Sequence, residues 1–264
     1  MNARLATFLD RALDVARDAA LTAAHGIRQH FQRGVAVEIK ADQTPVTVAD
    51  REAETTIKSI LKHAFPEHAF YGEEHGREGD GDYLWLIDPI DGTKAFVRGY
   101  PMFSTQIALM HRGELLLGVS SAPVYGELAW ARRGAGAFLD GTPMHVAATD
   151  EFDAGAAIST GNIKSLTGNA ARWNALGELI RRSGRIRGYG DFLHYHLLAR
   201  GCIDLVVESD VNILDIAALA VIVREAGGVF TTLEGDELSL ATTSVLAGTP
   251  ALHARALAMF AHAH

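Results

Sequence analysis

Apolar residues recur at three- and four-residue steps at the start of the chain: Leu5, Phe8, Leu9, Ala12, Leu13, Ala16, Ala20 and Ala24. That spacing lays one apolar stripe along a helix of about 30 residues. After a polar stretch from Lys40 to Pro45, a second helix has Ile57, Ile60, Leu61 and Ala64 on its buried face. Thr47 is placed to cap it and Pro66 to stop it. The texture then changes. Tyr83-Leu84-Trp85-Leu86-Ile87 is too short for a helix and is bounded by Gly81 and Pro89, so it reads as a strand. Further strands are predicted over 106–110, 115–119, 127–131 and 137–139, a meander that suggests an antiparallel sheet. Beyond about residue 150 helices are expected over 169–183, 192–200, 215–226 and 251–261, and strands over 203–207, 228–232 and 245–247. This alternation favours a sheet covered by helices.

No repeat, low-complexity tract or flexible linker interrupts the 264 residues, which are enough for a sizeable core in two compact halves. With 24 Lys+Arg against 32 Asp+Glu the formal charge is −8, which argues against a nucleic-acid polymer as partner. The single cysteine, Cys202, excludes an intramolecular disulfide and a cysteine-rich zinc site; it reads as a small buried hydrophobe. Arg4, Asp10, Arg11, Asp14, Arg17 and Asp18 alternate in sign, unlike a secretory signal. No run of about 18 uncharged apolar residues is present, so no membrane span and no membrane partner are expected. The expectation is a soluble, cytoplasmic protein.

Three segments concentrate carboxylates where a core pattern would not place them: Gly72-Glu73-Glu74, Asp88-Pro89-Ile90-Asp91-Gly92-Thr93, and Asp215 at the opening of an apolar helix. A buried strand delivers Asp88 to its end, and Gly92 permits a tight turn that can bring Asp91 back beside it. Two such carboxylates repel unless a cation lies between them. Oxygen ligands without Cys or organised His select Mg²⁺ or a similar hard ion. Plainer readings stand beside this one: a surface turn at Asp88–Gly92, a solvated pair at Glu73-Glu74, a helix cap at Asp215, and a first-turn acid at Asp50.

Trp85-Leu86-Ile87-Asp88-Pro89-Ile90-Asp91-Gly92-Thr93 strongly resembles the signature of the inositol monophosphatase superfamily of Mg²⁺-dependent, lithium-sensitive phosphatases. Gly72-Glu73-Glu74 upstream, and Asp215-Ile216-Ala217-Ala218 with Glu225-Ala226-Gly227-Gly228 downstream, match its other motifs in order. The resemblance runs from about residue 42 to residue 228, with one departure: Leu214 stands where the family usually has Trp. It implies an α+β fold, a layered α-β-α-β-α sandwich of the inositol monophosphatase/fructose-1,6-bisphosphatase type. An N-terminal half, 1–145, would carry most metal ligands; a C-terminal half, 146–264, would carry Asp215 and the specificity residues. Glu73, Asp88 and the Ile90 carbonyl would hold one Mg²⁺, and Asp88, Asp91 and Asp215 a second. Asp50 with Glu73 would serve a third. Thr93, hydrogen-bonded to Asp50, would orient the attacking water, and Asp91, Gly92 and Thr93 would meet the phosphate. A homodimer is also implied.

The metal residues leave the phosphate ester open. Lys94-Ala95-Phe96-Val97-Arg98-Gly99, Ser121-Ala122-Pro123 and Gly188-Tyr189-Gly190-Asp191 are most similar to the histidinol-phosphatase branch. Asp191 and Glu208, with Tyr189 beside them, would then read the cationic tail of histidinol phosphate. A helix cap at Asp191, an exposed strand-end acid at Glu208 and core packing of Tyr189 are the alternatives. An inositol-1-monophosphatase of broad specificity and a 3′(2′),5′-bisphosphate nucleotidase are the alternative enzymes, and a catalytically weak binding protein on the same fold is a third class. His194 and His196 point apart on a helix and suit no metal site. Arg181, Arg182, Arg185 and Arg187 read as a solvated face, and His262 and His264 as a frayed end.

Overall fold

Thr47 starts the second helix as its sequence requires. In the computed structural model, which describes residues 3–34, 37–39 and 45–261, the Thr47 hydroxyl accepts from the Ala49 N–H at 3.1 Å. The Asp50 carboxylate reaches back to the Thr47 N–H at 2.8 Å, closing a capping box. This helix, α2 (Val48–Ala64), follows the long helix α1 (Ala3–Arg33) and a short antiparallel pair, β1 (Val37–Ile39) and β2 (Pro45–Thr47). The polar stretch expected from Lys40 lies largely outside the described residues, as do His262 and His264.

The chain divides into two compact units, Met1–Thr142 with Leu214–Ile222, and Pro143–Ile213 with Val223–His264. The first holds a sheet of β3 (Ala69–Gly72), β4 (Gly76–Glu78), β5 (Tyr83–Asp91), β6 (Ser104–His111), β7 (Glu114–Ala122), β8 (Glu127–Arg132) and β9 (Ala137–Leu139), with the edge strand β10 (Thr142–Met144) beginning at the unit's last residue before the second unit. From β5 to β9 it is the antiparallel meander the hydrophobic runs predict, while β3 joins β5 in parallel. Leu9, Ala16, Ala20 and Ile27 of α1 and Ile57 and Leu61 of α2 pack with Trp85, Ile87, Ile107, Leu109, Leu117 and Val119. The intervening residues Leu86, Asp88, Gln106, Ala108, Gly118 and Ser120 therefore point to the other face. That face receives part of helix α6 (Ile213–Glu225). A Cβ on Gly118 would come within 2.3 Å of the Ala218 carbonyl oxygen, so the approach requires glycine. The sequence assigned Asp215 to the C-terminal half; the structure places Leu214–Ile222 with the first unit.

The second unit is a five-stranded sheet ordered β12 (Arg185–Arg187), β11 (Ala157–Thr160), β13 (Leu205–Ser209), β15 (Ser244–Gly248), β14 (Val229–Thr231). The first three strands are parallel and the last two antiparallel. Leu176 and Leu179 of α4 (Ala170–Arg182) and Leu252, Ala256 and Phe260 of α7 (Pro250–Ala261) pack with Ile158, Leu205, Val207 and Leu246. Helix α5 (Asp191–Ala199) meets β13 through side chains of the opposite parity. Part of the basic run is structured: Arg181 and Arg182 pair with Glu178, and Arg185–Arg187 is an edge strand. Cys202 is exposed rather than buried, since it falls in the turn after α5. Among the described residues no helix is long and apolar enough to cross a membrane.

Candidate active site

Asp88 and Asp91 stand three positions apart, and in an unbroken strand an odd offset sends two side chains to opposite faces. The pairing of β5 with β6 shifts between them: Asp88 lies opposite Gln106 and Asp91 opposite Ser104. Three steps on one strand meet two on the other, and this bulge returns Asp91 to the face of Asp88. Pro89 sits at the break, its carbonyl accepting from the Thr105 hydroxyl at 2.8 Å. Gly92 then turns the chain with φ +91°, and a Cβ there would lie 2.5 Å from the Met102 carbonyl oxygen. Glycine is needed on both counts. The short helix α3 (Thr93–Val97) begins immediately after.

One carboxylate oxygen each from Asp88, Asp91 and Asp215 lies within 4.8 Å of the others. Asp215 does not cap its helix; α6 begins at Ile213, so Asp215 sits inside the first turn. Leu214, at the position of the family's usual Trp, is buried. Asp88 is itself buried, and its Oδ1 accepts from the Ile90 N–H at 3.0 Å. Burial, together with the charges of Glu73, Asp91 and Asp215, pushes its carboxyl well above the ordinary range. Three carboxylates gathered this way repel one another and need an external positive charge. An all-oxygen donor set fits a hard divalent ion.

The other expected residues surround this group. Glu73 lies outside the close trio, although its charge bears on Asp88. Its turn is held from below by Glu54, a fully buried acid of α2 that accepts from the N–H groups of Glu74 at 2.7 Å and His75 at 3.1 Å, and meets the His75 ring at 2.9 Å. Gly72 leaves the room this carboxylate fills. Asp50 is fully buried, and burial pushes its carboxyl up against the pull of Thr47 and Thr93. The Thr93 hydroxyl faces Asp50 Oδ1 at 3.3 Å and the Ile90 carbonyl at 3.0 Å, and donates to one of them at a time. Ser104 donates to Asp91 Oδ2 at 3.4 Å, and Gln106 donates to Ser104 at 2.7 Å and to Ser120 at 3.1 Å.

Tyr189, Asp191 and Glu208 all belong to the second unit. Gly190, not Asp191, holds the cap position of α5, while Asp191 is its first residue with φ +45°, a conformation rare outside glycine. Tyr189 is half-buried, with Arg185 Nη2 donating to its hydroxyl at 3.5 Å. Glu208 is only 6% exposed, so it is not an exposed strand-end acid. Burial pushes its carboxyl up, but the His194 ring, the Tyr195 hydroxyl and the Asn162 N–H outweigh that and hold it below the ordinary value. Sequence reasoning missed Glu54, Ser159, His194 and Tyr195. Glu54 could have been found from its i+4 offset to Asp50, which puts both on one helix face.

Residues 9–264 match the inositol monophosphatase family. The histidinol-phosphatase of Streptomyces coelicolor is 42% identical over 211 residues, covering 75% of this chain and 77% of that protein. The fructose-1,6-bisphosphatase/inositol-1-monophosphatase of Aquifex aeolicus is 30% identical over 249 residues, 93% of each chain. The solved IMPase of Thermotoga maritima superposes with a TM-score of 0.83 at 32% identity, covering 97% of this chain and 98% of that one. The chain therefore belongs to the inositol monophosphatase family, shares its layered sandwich of sheets and helices, and is a phosphoric monoester hydrolase.

Proposed function

We propose that the protein is a Mg²⁺-dependent histidinol-phosphate phosphatase, converting L-histidinol phosphate and water to L-histidinol and phosphate. The reading of the reaction is carried by the carboxylate group of Asp88, Asp91 and Asp215. The choice of leaving group is supported by the Streptomyces coelicolor relative. Glu73, Asp88, Asp91, Asp215 and the Ile90 carbonyl would hold Mg²⁺, with Asp50 serving a further ion or its waters. Bound there, the metal neutralises phosphate charge and lowers the pKa of a nucleophilic water.

The protein's own groups order the rest. When Thr93 donates to Asp50, its hydroxyl oxygen keeps lone pairs that accept a hydrogen from the attacking water and aim that water's oxygen at phosphorus. Asp50 is held to this task by its capping box, which fixes its other oxygen on Thr47. Ser104 and Gln106 fix the orientation of Asp91. Gly92 and Thr93 would present backbone N–H groups to phosphate oxygens. Asp191 and Glu208, with Tyr189, would meet the ammonium and imidazole of the leaving group. The family resemblance also implies a cytoplasmic homodimer inhibited by lithium.

A broader inositol-1-monophosphatase is favoured instead by the name of the Aquifex aeolicus relative, whose match spans more of the chain. Comparing kcat/KM for histidinol phosphate, inositol 1-phosphate and adenosine 3′,5′-bisphosphate at one Mg²⁺ concentration separates these readings. Histidinol phosphate should lead, and Asp191→Asn should cost it roughly 10- to 100-fold while a small neutral ester changes little. A lead for inositol 1-phosphate overturns the substrate assignment.

A further inference from the structure

Strand pairing in the second sheet sets Ser159 of β11 beside Val206 of β13. Glu208 lies two positions beyond Val206, so Ser159 and Glu208 share a face. Between them sit His194 and Tyr195 of α5, fully buried at 0% and 1% exposure. The Tyr189 N–H donates to Ser159 Oγ at 3.2 Å, Ser159 Oγ meets His194 Nδ1 at 3.3 Å, and His194 Nε2 meets Glu208 Oε2 at 3.2 Å. Tyr195 donates to the same Glu208 oxygen at 2.6 Å, and the Asn162 N–H donates to the other at 3.2 Å. Donors and acceptors close without an orphan when His194 carries its hydrogen on Nε2 and Ser159 donates to Nδ1.

We propose that Ser159 and His194 are positioning residues that tie the Tyr189–Asp191 turn to Glu208 and thereby set specificity for the leaving group. Burying a hydroxyl, an imidazole, a phenol and a carboxylate against a sheet is costlier than an apolar contact of the same shape. The two ends of the chain explain what the cost supports. One end is Glu208, whose Oε1 accepts from Asn162 and keeps capacity for a substrate donor. The other is the Tyr189 backbone, two residues from the left-handed Asp191. Fixing one end fixes the other, so two carboxylates keep one spacing. This rests on the reading of Asp191 and Glu208 as leaving-group residues.

Ser159→Ala cuts the link without altering the Glu208 or Asp191 side chain itself. With Mg²⁺ saturating, KM for histidinol phosphate should rise roughly 3- to 10-fold, the worth of a buried hydrogen bond, while kcat/KM for p-nitrophenyl phosphate stays within about twofold. His194→Leu should widen that split and His194→Gln, which can still donate to Glu208, should recover part of it; if His194→Leu fails to fold, Ser159→Ala decides alone. Equal losses on both esters would make the chain merely structural and overturn the proposal, as would no change on either. Should the wild-type enzyme prefer inositol 1-phosphate, the substrate assignment fails separately. The relay is then judged by the same split with inositol 1-phosphate in place of histidinol phosphate.

Discussion

Asp88→Asn should make the metal-free protein more stable and the enzyme inactive. At the 4.8 Å limit of the Asp88, Asp91 and Asp215 group, a like-charged pair costs about 3.5 kcal/mol at an effective dielectric near 20. Burial and the charges of Glu73, Asp91 and Asp215 accordingly push the Asp88 carboxyl well above its ordinary value. A raised carboxyl pKa leaves stability intact below the unfolded value and removes it as pH rises through the folded value. Asparagine carries no charge and keeps an oxygen for the Ile90 N–H. In excess chelator at pH 7 the variant should gain roughly 1–4 kcal/mol, with Tm rising about 2–4 °C for each kcal/mol. Near pH 4 the difference should vanish. Added Mg²⁺ should stabilise the parent and not the variant, and turnover should fall by at least about three orders of magnitude. Calorimetric scans in chelator and in Mg²⁺ at both pH values provide the test. A variant no more stable than its parent in chelator at pH 7 refutes the repulsion account.

Thr93→Ala should lower kcat about 100-fold or more and leave KM nearly unchanged, because an orienting hydrogen bond is realised mainly in the transition state; Thr93→Ser should keep most activity, and steady-state kinetics showing normal kcat with raised KM would reassign Thr93 to phosphate binding. Glu54→Gln replaces one acceptor oxygen of the Glu73 turn with a donor, so calorimetric titration should show Mg²⁺ affinity down several-fold, roughly 5- to 20-fold for one lost charge-assisted bond. Unchanged affinity would mean that the turn holds itself.

What the sequence reveals depends on the range of the interaction that decides it. Helices α1, α2, α4 and α7 announce themselves because their burial follows a local period, α6 because it is a long apolar run, and the Thr47 cap is a contact within a few residues. The short strands β10, β11 and β12 carry no such pattern; three or four residues do not define alternation, and β12 reads as part of a basic run. The Asp88–Asp91 turn was legible from Pro89 and Gly92, whereas the bulge that reconciles their odd offset is a property of pairing with β6. The roles of Glu54 and His194 depend on long-range contacts, although the i+4 offset from Asp50 offered a hint of Glu54. Each acts on a segment brought to it by the sheet, Glu54 on a turn 20 residues away and His194 on a strand 14 residues away. Cys202 was misread because its burial depends on where α5 stops.

The placement of Leu214–Ile222 bears on how such an enzyme changes substrates. Asp215 is 124 positions beyond Asp91, yet its helix segment packs into the unit that carries Asp50, Glu73, Asp88, Asp91 and Thr93. The close approach of Ala218 at Gly118 fixes that segment on the sheet face bearing Asp88. Every residue proposed to hold metal and aim water thus lies in the first unit, Asp215 on the stretch of α6 that belongs to it. Tyr189, Asp191 and Glu208 are ordered by the other core and by the hydrogen bonds of Ser159 and His194. If Asp191 and Glu208 read the leaving group as proposed, substitutions in the second core should alter the choice of ester more than the carboxylate spacing on which hydrolysis depends. On that reading the protein can diverge in substrate while its metal chemistry stays constant.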